Sequence, residues 1–439
     1  MRFASTLRPG LLTVALCAAV VGRPATAAAQ AATPLATQPS PTTEAPPAPA
    51  PPAEAPSAPI IRPYATIKPT IVVAGSPVES FNQANATAAT AAGNPVIAAI
   101  QDEASTTFQV GQSRLGFWFN EKGKARGQFE FDFIDFTKSS PTTGAVPRLR
   151  IAKVEWAFSD STVLQAGQDW DLFSPINGYT LNIVSVAYQA GNSAFMRQQA
   201  KLIWHNDSLE IGGAVGLAGI NNAAKALLPE YSRIPTVAAR AAVLLGKAGR
   251  IGVSAIGTSW RFAPDQATER KAFAGGASLY GDVTPAERFS IRFEAYVGQN
   301  LANIGALTLG QGNATDDIKE VGGFLSAKYG LNDTHALYTL VGAAKVLNDD
   351  KVLPSYTYPT VAADAPPPLE STAAPGAGPG MTQNIVARLG YEYRYDKSLA
   401  FMLEGFFFDT EHVLNATYDS DIDGHRTALG TEIGLLFTL

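Results

Sequence analysis

This chain is short of charge: Asp, Glu, Lys and Arg make up 16% of its 439 residues, against about 25% in an ordinary soluble domain. It also lacks long apolar runs. Beyond the first thirty residues no stretch approaches the roughly 18 consecutive apolar residues of a membrane-spanning helix. Cysteine is almost absent, and Cys17 is the sole example. That excludes a disulfide framework. The four histidines, His205, His335, His412 and His425, show no metal-ligand spacing, and no nucleophile–base constellation accompanies them. The run GGAVG (212–216) is followed by neither Lys-Ser/Thr nor a helix, so it is not a phosphate loop. A formal charge of −5 excludes a generally basic surface for nucleic acid. Low charge, 39 glycines and no spanning helix leave an all-β chain as the leading class.

The N-terminus reads as an export leader over 1–29. Arg2 and Arg8 form its positive start, 11–21 its apolar run, and Ala27, Ala28 and Ala29 a small-residue cleavage site. Eleven apolar residues are too few to span a bilayer as an anchor. Removal takes away Cys17 and three arginines, shifting the charge from −5 to −8. Residues 30–62 follow as a linker of mostly Ala, Pro, Thr, Ser and Glu, which cannot bury a core and favours extended polyproline-type conformations. The folded domain is expected over 63–439.

From Tyr64 onward, sixteen segments have strand-like composition between turn residues. The connections after the even-numbered ones (NEKG, SDS, HND, KAG, DVTPAE, LND, DK) never exceed six residues, whereas those after the odd-numbered ones run from 7 to 33. Strict short–long alternation is the pattern of a 16-stranded antiparallel transmembrane β-barrel, with tight periplasmic turns on one rim and long extracellular loops on the other.

Face patterns agree. In KARGQFEFDFIDF (124–136), Phe129, Phe131 and Phe133 share one face, opposite Arg126, Gln128, Glu130 and Asp132. The loop rhythm points the phenylalanines at lipid and the charges at a lumen. Tyr391, Tyr393 and Tyr395 share a face beside a short turn, as in an interfacial aromatic girdle. The segment 147–158 breaks parity, since Lys153 and Glu155 claim the lumen and turn Arg150 outward; a bulge near Ile151 would restore it.

The segments QSRLGFWF (112–119), GQFEFDF (127–133), PRLRIAKVEWAF (147–158) and LQAGQDWDLFSP (164–175) resemble the first strands of the DcaP-like porins. The resemblance implies a 16-stranded homotrimeric channel of the Gram-negative outer membrane, favouring small anionic solutes such as dicarboxylates. It also implies that the loop 171–194 folds inward and narrows the pore. The coiled-coil segment of some members is not carried over, because 30–62 has no heptads. The C-terminal strand, with Leu429, Thr431, Ile433, Leu435, Phe437 and Leu439 on one face, resembles the terminal signal of outer-membrane proteins, ending in Leu where Phe is usual.

Candidate pore-lining and solute-binding residues are Arg114, Arg126, Glu130, Asp132, Arg148, Arg150, Arg197, Lys201, Arg240, Arg292 and Arg388. Arg114, Arg197, Lys201 and Arg240 come from strand faces without acids and form a candidate basic wall, which selects anions if free. The competing reading pairs these charges across strands as wall structure. A weak metal candidate, Asp419, Asp421 and Asp423 in DSDIDG, has calcium-loop spacing but no bidentate acid at its twelfth position. The expected function is passive diffusion of small hydrophilic solutes, anionic or neutral. Lipid and lipopolysaccharide surround the barrel, with no cofactor, no enzymatic activity and no nucleic acid. A phosphate-selective channel and a non-conducting structural or adhesive barrel are the alternatives.

Overall fold

The computed structural model describes residues 61–76, 78–79, 83–84, 104–133, 136–138, 143–145, 147–182, 187–193, 196–218, 235–262, 270–309, 317–352, 381–412 and 425–439. The leader, nearly all of the linker, most of the expected loops 75–106 and 348–380, and Asp419, Asp421 and Asp423 lie outside the described residues.

Sixteen strands form one closed antiparallel sheet. Strand β1 has two segments, Ile61–Ile67 and Thr70–Ala74, and β2 has Ser105–Gln109 and Arg114–Phe119. Then come β3 (Ala125–Asp132), β4 (Arg148–Ser159), β5 (Thr162–Trp170), β6 (Met196–His205), β7 (Leu209–Gly216) and β8 (Thr236–Leu244). The second half holds β9 (Gly249–Phe262), β10 (Arg270–Ala286), β11 (Phe289–Gln299), β12 (Lys319–Gly330), β13 (His335–Val346), β14 (Met381–Arg394), β15 (Leu399–His412) and β16 (His425–Thr438). Each strand pairs with its sequence neighbours, and β1 closes the ring by pairing Ile71 with Ile433 of β16 on one side and Phe108 of β2 on the other. Closure leaves no unpaired sheet edge, which a backbone surrounded by hydrocarbon requires.

One rim carries the turns 120–124, 160–161, 206–208, 245–248, 287–288, 331–334 and 395–398. Three are built alike: Asn206, Asn332 and Asp396 each accept two backbone N–H bonds from residues two and three positions on. This is the local turn chemistry that favours Asn and Asp at such places. The expected DVTPAE turn is shorter than its sequence implies. Strand β10 runs through Val283 and pairs Asp282 with Arg292, and the register shifts between Val283 and Ala286, where Pro285 cannot donate to the ladder.

The barrel is apolar outside and polar inside. Val341 is half exposed between Leu325 and Ala387 on the outer face, while Leu340 and Ser326 are sealed inside. In β3, Phe129 faces out while Gln128, Glu130 and Asp132 are buried inward. The parity conflict in β4 is resolved by a bulge: Leu149 pairs with Phe131 and Ile151 with Glu130, leaving Arg150 as the extra residue. Arg150 and Ile151 then both face inward, and Lys153 and Glu155 keep their places. Gly167 on β5 is needed beside this strand. Its φ of +127° lies in the glycine region, and a Cβ would sit 2.1 Å from the Ala152 carbonyl oxygen.

Strands β1 and β2 break at the same level. Pro69 offers no N–H to the ladder, and Lys68 beside it turns its side chain into the barrel. The 68 backbone N–H is taken by Ser113 Oγ in the β2 break, at 3.0 Å.

Candidate functional site

Several inward positions are apolar where a water-filled lumen wants polar ones: Ala214, Ala238 and Ile256 on one wall, Phe324, Leu340 and Val386 on another. The segment after β5 covers them. Leu172 and Phe173 pack on the first patch, and Ile176, Ala187 and Ala190 on the second. Burying side chains of this size is worth roughly 1.5–3 kcal/mol each. The inward fold expected for 171–194 is therefore present over its described residues, held by complementary apolar patches.

Polar anchors fix the loop in register. Glu294 on β11 accepts the Ser174 and Ser193 hydroxyls. Glu404 on β15 accepts the Leu181 N–H at 2.7 Å and the Thr180 hydroxyl at 3.1 Å, and pairs with Arg388. Lys68 donates to the Leu181 carbonyl and to Gln112. Ser326 accepts the Tyr179 N–H at 2.8 Å. Gly191 lies so close to Gly323 that a Cβ would stand 2.0 Å from its carbonyl oxygen.

Among the described residues, three cavities border the loop tip, 177–179. The first, about 380 Å³, is lined by Arg114, Glu130, Arg150, Arg292, Lys328 and Glu392, with Trp170, Tyr179 and Tyr338 as aromatic faces. The second, about 620 Å³, reaches the short-turn rim through Asn206, Asp207 and Gly246, and shares Arg292 and Tyr179 with the first. The third, about 270 Å³, lies between the loop and the wall carrying Lys201, Arg240 and Arg250. The Arg292 guanidinium lies 4.3 Å from the Tyr179 ring centre and Lys328 5.9 Å from it, so the tip tyrosine is held between two cations.

The wall charges are paired. Arg148 makes two bonds to Asp132, at 3.0 and 2.8 Å, and Arg150 lies 3.4 Å from both Glu130 and Asp132. Arg126 meets Glu155, Lys201 meets Asp169 at 2.6 Å, Arg197 meets Asp171 at 2.6 Å, and Arg240 meets Glu210 at 2.8 Å. This corrects the basic wall expected from Arg114, Arg197, Lys201 and Arg240: at Lys201 and Arg240 an acid arrives from the adjacent strand, and at Arg197 from the loop. The correction has a simple cause, since the faces of separate strands meet only once register is set.

Pairing is not symmetrical towards water. The side chains of Arg126, Arg148 and Lys328 are 36%, 29% and 26% exposed, while their partners Glu155, Asp132 and Glu392 are 4%, 1% and 11% exposed. Glu294 and Glu404 are sealed beneath the loop. At these three pairs the cation covers its acid on the water side, whereas at Arg240–Glu210 and Arg292–Asp282 the two partners are exposed to similar degrees.

Of the sequence candidates, Arg114, Glu130, Arg150 and Arg292 meet in the first cavity, and Lys201 and Arg240 in the third. Arg126 and Arg148 stand on the wall. Asp132 is covered by Arg148 and Arg150, Arg197 is tied to Asp171 and two backbone carbonyls, and Arg388 is buried against Glu404. Lys328, Arg250, Asp282 and Tyr179 were not among the candidates. Lys328 is legible from parity with Ser326 and Phe324, and Arg250 from parity with Ser254 and Ile256. Asp282 was hidden by its reading as a turn, and Tyr179 has no strand periodicity to betray it.

No family model and no curated protein matches this chain. Among solved structures, the outer membrane channel DcaP of Acinetobacter baumannii superposes with a TM-score of 0.61 at 10% identity, covering 88% of this chain and 99% of that one. The anion-selective porin from Comamonas acidovorans superposes with a TM-score of 0.53 at 10% identity, covering 87% and 100%. The likeness to the DcaP-like porins carried by the early strands therefore holds at the level of the fold.

Proposed function

We propose that this protein is an outer-membrane porin, a passive channel for small hydrophilic solutes with a mild preference for anions. The carrying observation is the cationic excess around the loop tip: Arg114, Arg150, Arg292 and Lys328 line the first cavity against Glu130 and Glu392, while Glu294 and Glu404 are buried as loop anchors. A narrow passage lined by an excess of cations enriches anions and disfavours cations. Guanidinium groups add paired donors suited to carboxylates. A lipid-facing exterior, export by the 1–29 leader and a homotrimer complete the reading, with the short-turn rim towards the periplasm. That one superposing porin is described as anion-selective accords with it.

The test is a planar-bilayer reversal potential in a KCl gradient. A sign corresponding to chloride preference is expected. Cation preference removes the selectivity claim and leaves a porin; absence of conductance, together with no swelling of protein-loaded liposomes in sugars or dicarboxylates, removes the channel itself.

A further inference from the structure

The third cavity, about 270 Å³, lies behind the inward loop. Lys201, Arg240 and Arg250 enter it from β6, β8 and β9, so its donors come from three directions. Their carboxylates are shared. Glu210 serves Arg240 at 2.8 Å and also Arg250 at 3.5 Å, and Asp169 serves Lys201 at 2.6 Å and also Lys153 at 3.1 Å. Neither Glu210 nor Asp169 lines the cavity. The one acid that does, Asp171, is taken by Arg197 at 2.6 Å. Arg240 is largely buried, and its Nε has no hydrogen-bond partner. Positive charge is thus in excess here, and donor capacity is left over at Arg240.

We propose that this cavity is a binding site for a doubly charged tetrahedral oxyanion of the phosphate or sulfate class. A planar carboxylate satisfies a single fork of donors, whereas a tetrahedral anion offers oxygens to all three strands at once. Two cations share Glu210, and Lys201, Lys153 and Arg126 share Asp169 and Glu155, so each cluster carries one positive charge over and a dianion neutralises both. The site rests on the channel reading, because solute reaches it through the lumen: Arg250 also lines the cavity that opens at the short-turn rim.

The experiment is calorimetric titration of the purified, folded full-length protein with inorganic phosphate at pH 8 in low chloride, with acetate in parallel. Saturable phosphate binding is expected, with acetate at least about tenfold weaker. R250Q, which leaves Glu210 paired with Arg240, is expected to weaken phosphate by about tenfold or more, the loss of one charged hydrogen-bond donor. R288Q, on the short-turn rim and lining none of the three cavities, is expected to keep phosphate affinity within about threefold. Folding is followed by heat-modifiable gel migration, and K201Q repeats the test from another strand if R250Q does not fold. No saturable phosphate heat, phosphate affinity unchanged in both R250Q and K201Q, or a loss in R288Q as large as theirs overturns the site. The wild-type reversal potential is read separately, so failure of the channel reading is distinguishable from failure of the site.

Discussion

At the scale of single residues, some wall acids lie beneath their cations, as Asp132 does beneath Arg148, while others share the water with them, as Asp282 does with Arg292. Arg292 is held by Asp282 at 3.3 Å and by the Tyr179 ring, yet about a third of its side chain meets water. R292Q is expected to lower the anion-to-cation permeability ratio by roughly twofold, read as a shift of reversal potential in a KCl gradient. The Arg388–Glu404 pair behaves differently because both members are sealed. Glu404→Ala strands a buried guanidinium and frees the Thr180 and Leu181 anchors, and is expected to cost about 3–5 kcal/mol in urea unfolding. The double variant R388M/E404L is expected to be milder, since no charge is then left buried alone. Residues of this kind were only half legible. Parity placed Arg114 and Arg292 inside, and Arg150 only by way of a bulge, but their partners belong to other elements, and a single sequence does not state which strand residues face which. Buried Lys68 was invisible for the same reason: it stands in a strand break, and its partners lie 44 and 113 residues away.

At the scale of elements, alternation was the readable signal, and it holds because each strand separates two unlike environments. In a bilayer the outer row of β13, with Val341 at its middle, meets hydrocarbon. Val341→Arg is expected to cost about 2–4 kcal/mol of stability in lipid vesicles, and the same change at Tyr395 beside a short turn only about 0–1. Two departures were harder to see. The β4 bulge was expected from the conflict between Arg150 and Lys153, whereas the double break in β1 and β2 has only Pro69 as a sequence mark. The inward loop came from family likeness alone. Its own evidence in the sequence, the apolar Ile256, Leu340 and Val386 on lumen-facing rows, becomes meaningful only once something is known to cover them.

At the scale of the whole molecule, the fold is an inverted globule, with its wettable surface enclosed and its apolar surface outside. The charge sum of the sequence therefore says little about the lumen, where exposure rather than count sets the field. The anchors of the loop carry a consequence in time. Ser174 reaches Glu294 across 120 residues, Leu181 reaches Glu404 across 223, and Lys68, in the first strand, holds the Leu181 carbonyl across 113. The segment is synthesised before two of these partners exist and cannot settle until β11 and β15 stand in the ring. A half-built barrel consequently carries this segment unlatched, and its settling reports that the ring is finished. Limited proteolysis during refolding is expected to cut within 171–193 until late, with protection arriving together with heat-resistant gel migration; protection that precedes closure removes this order of events.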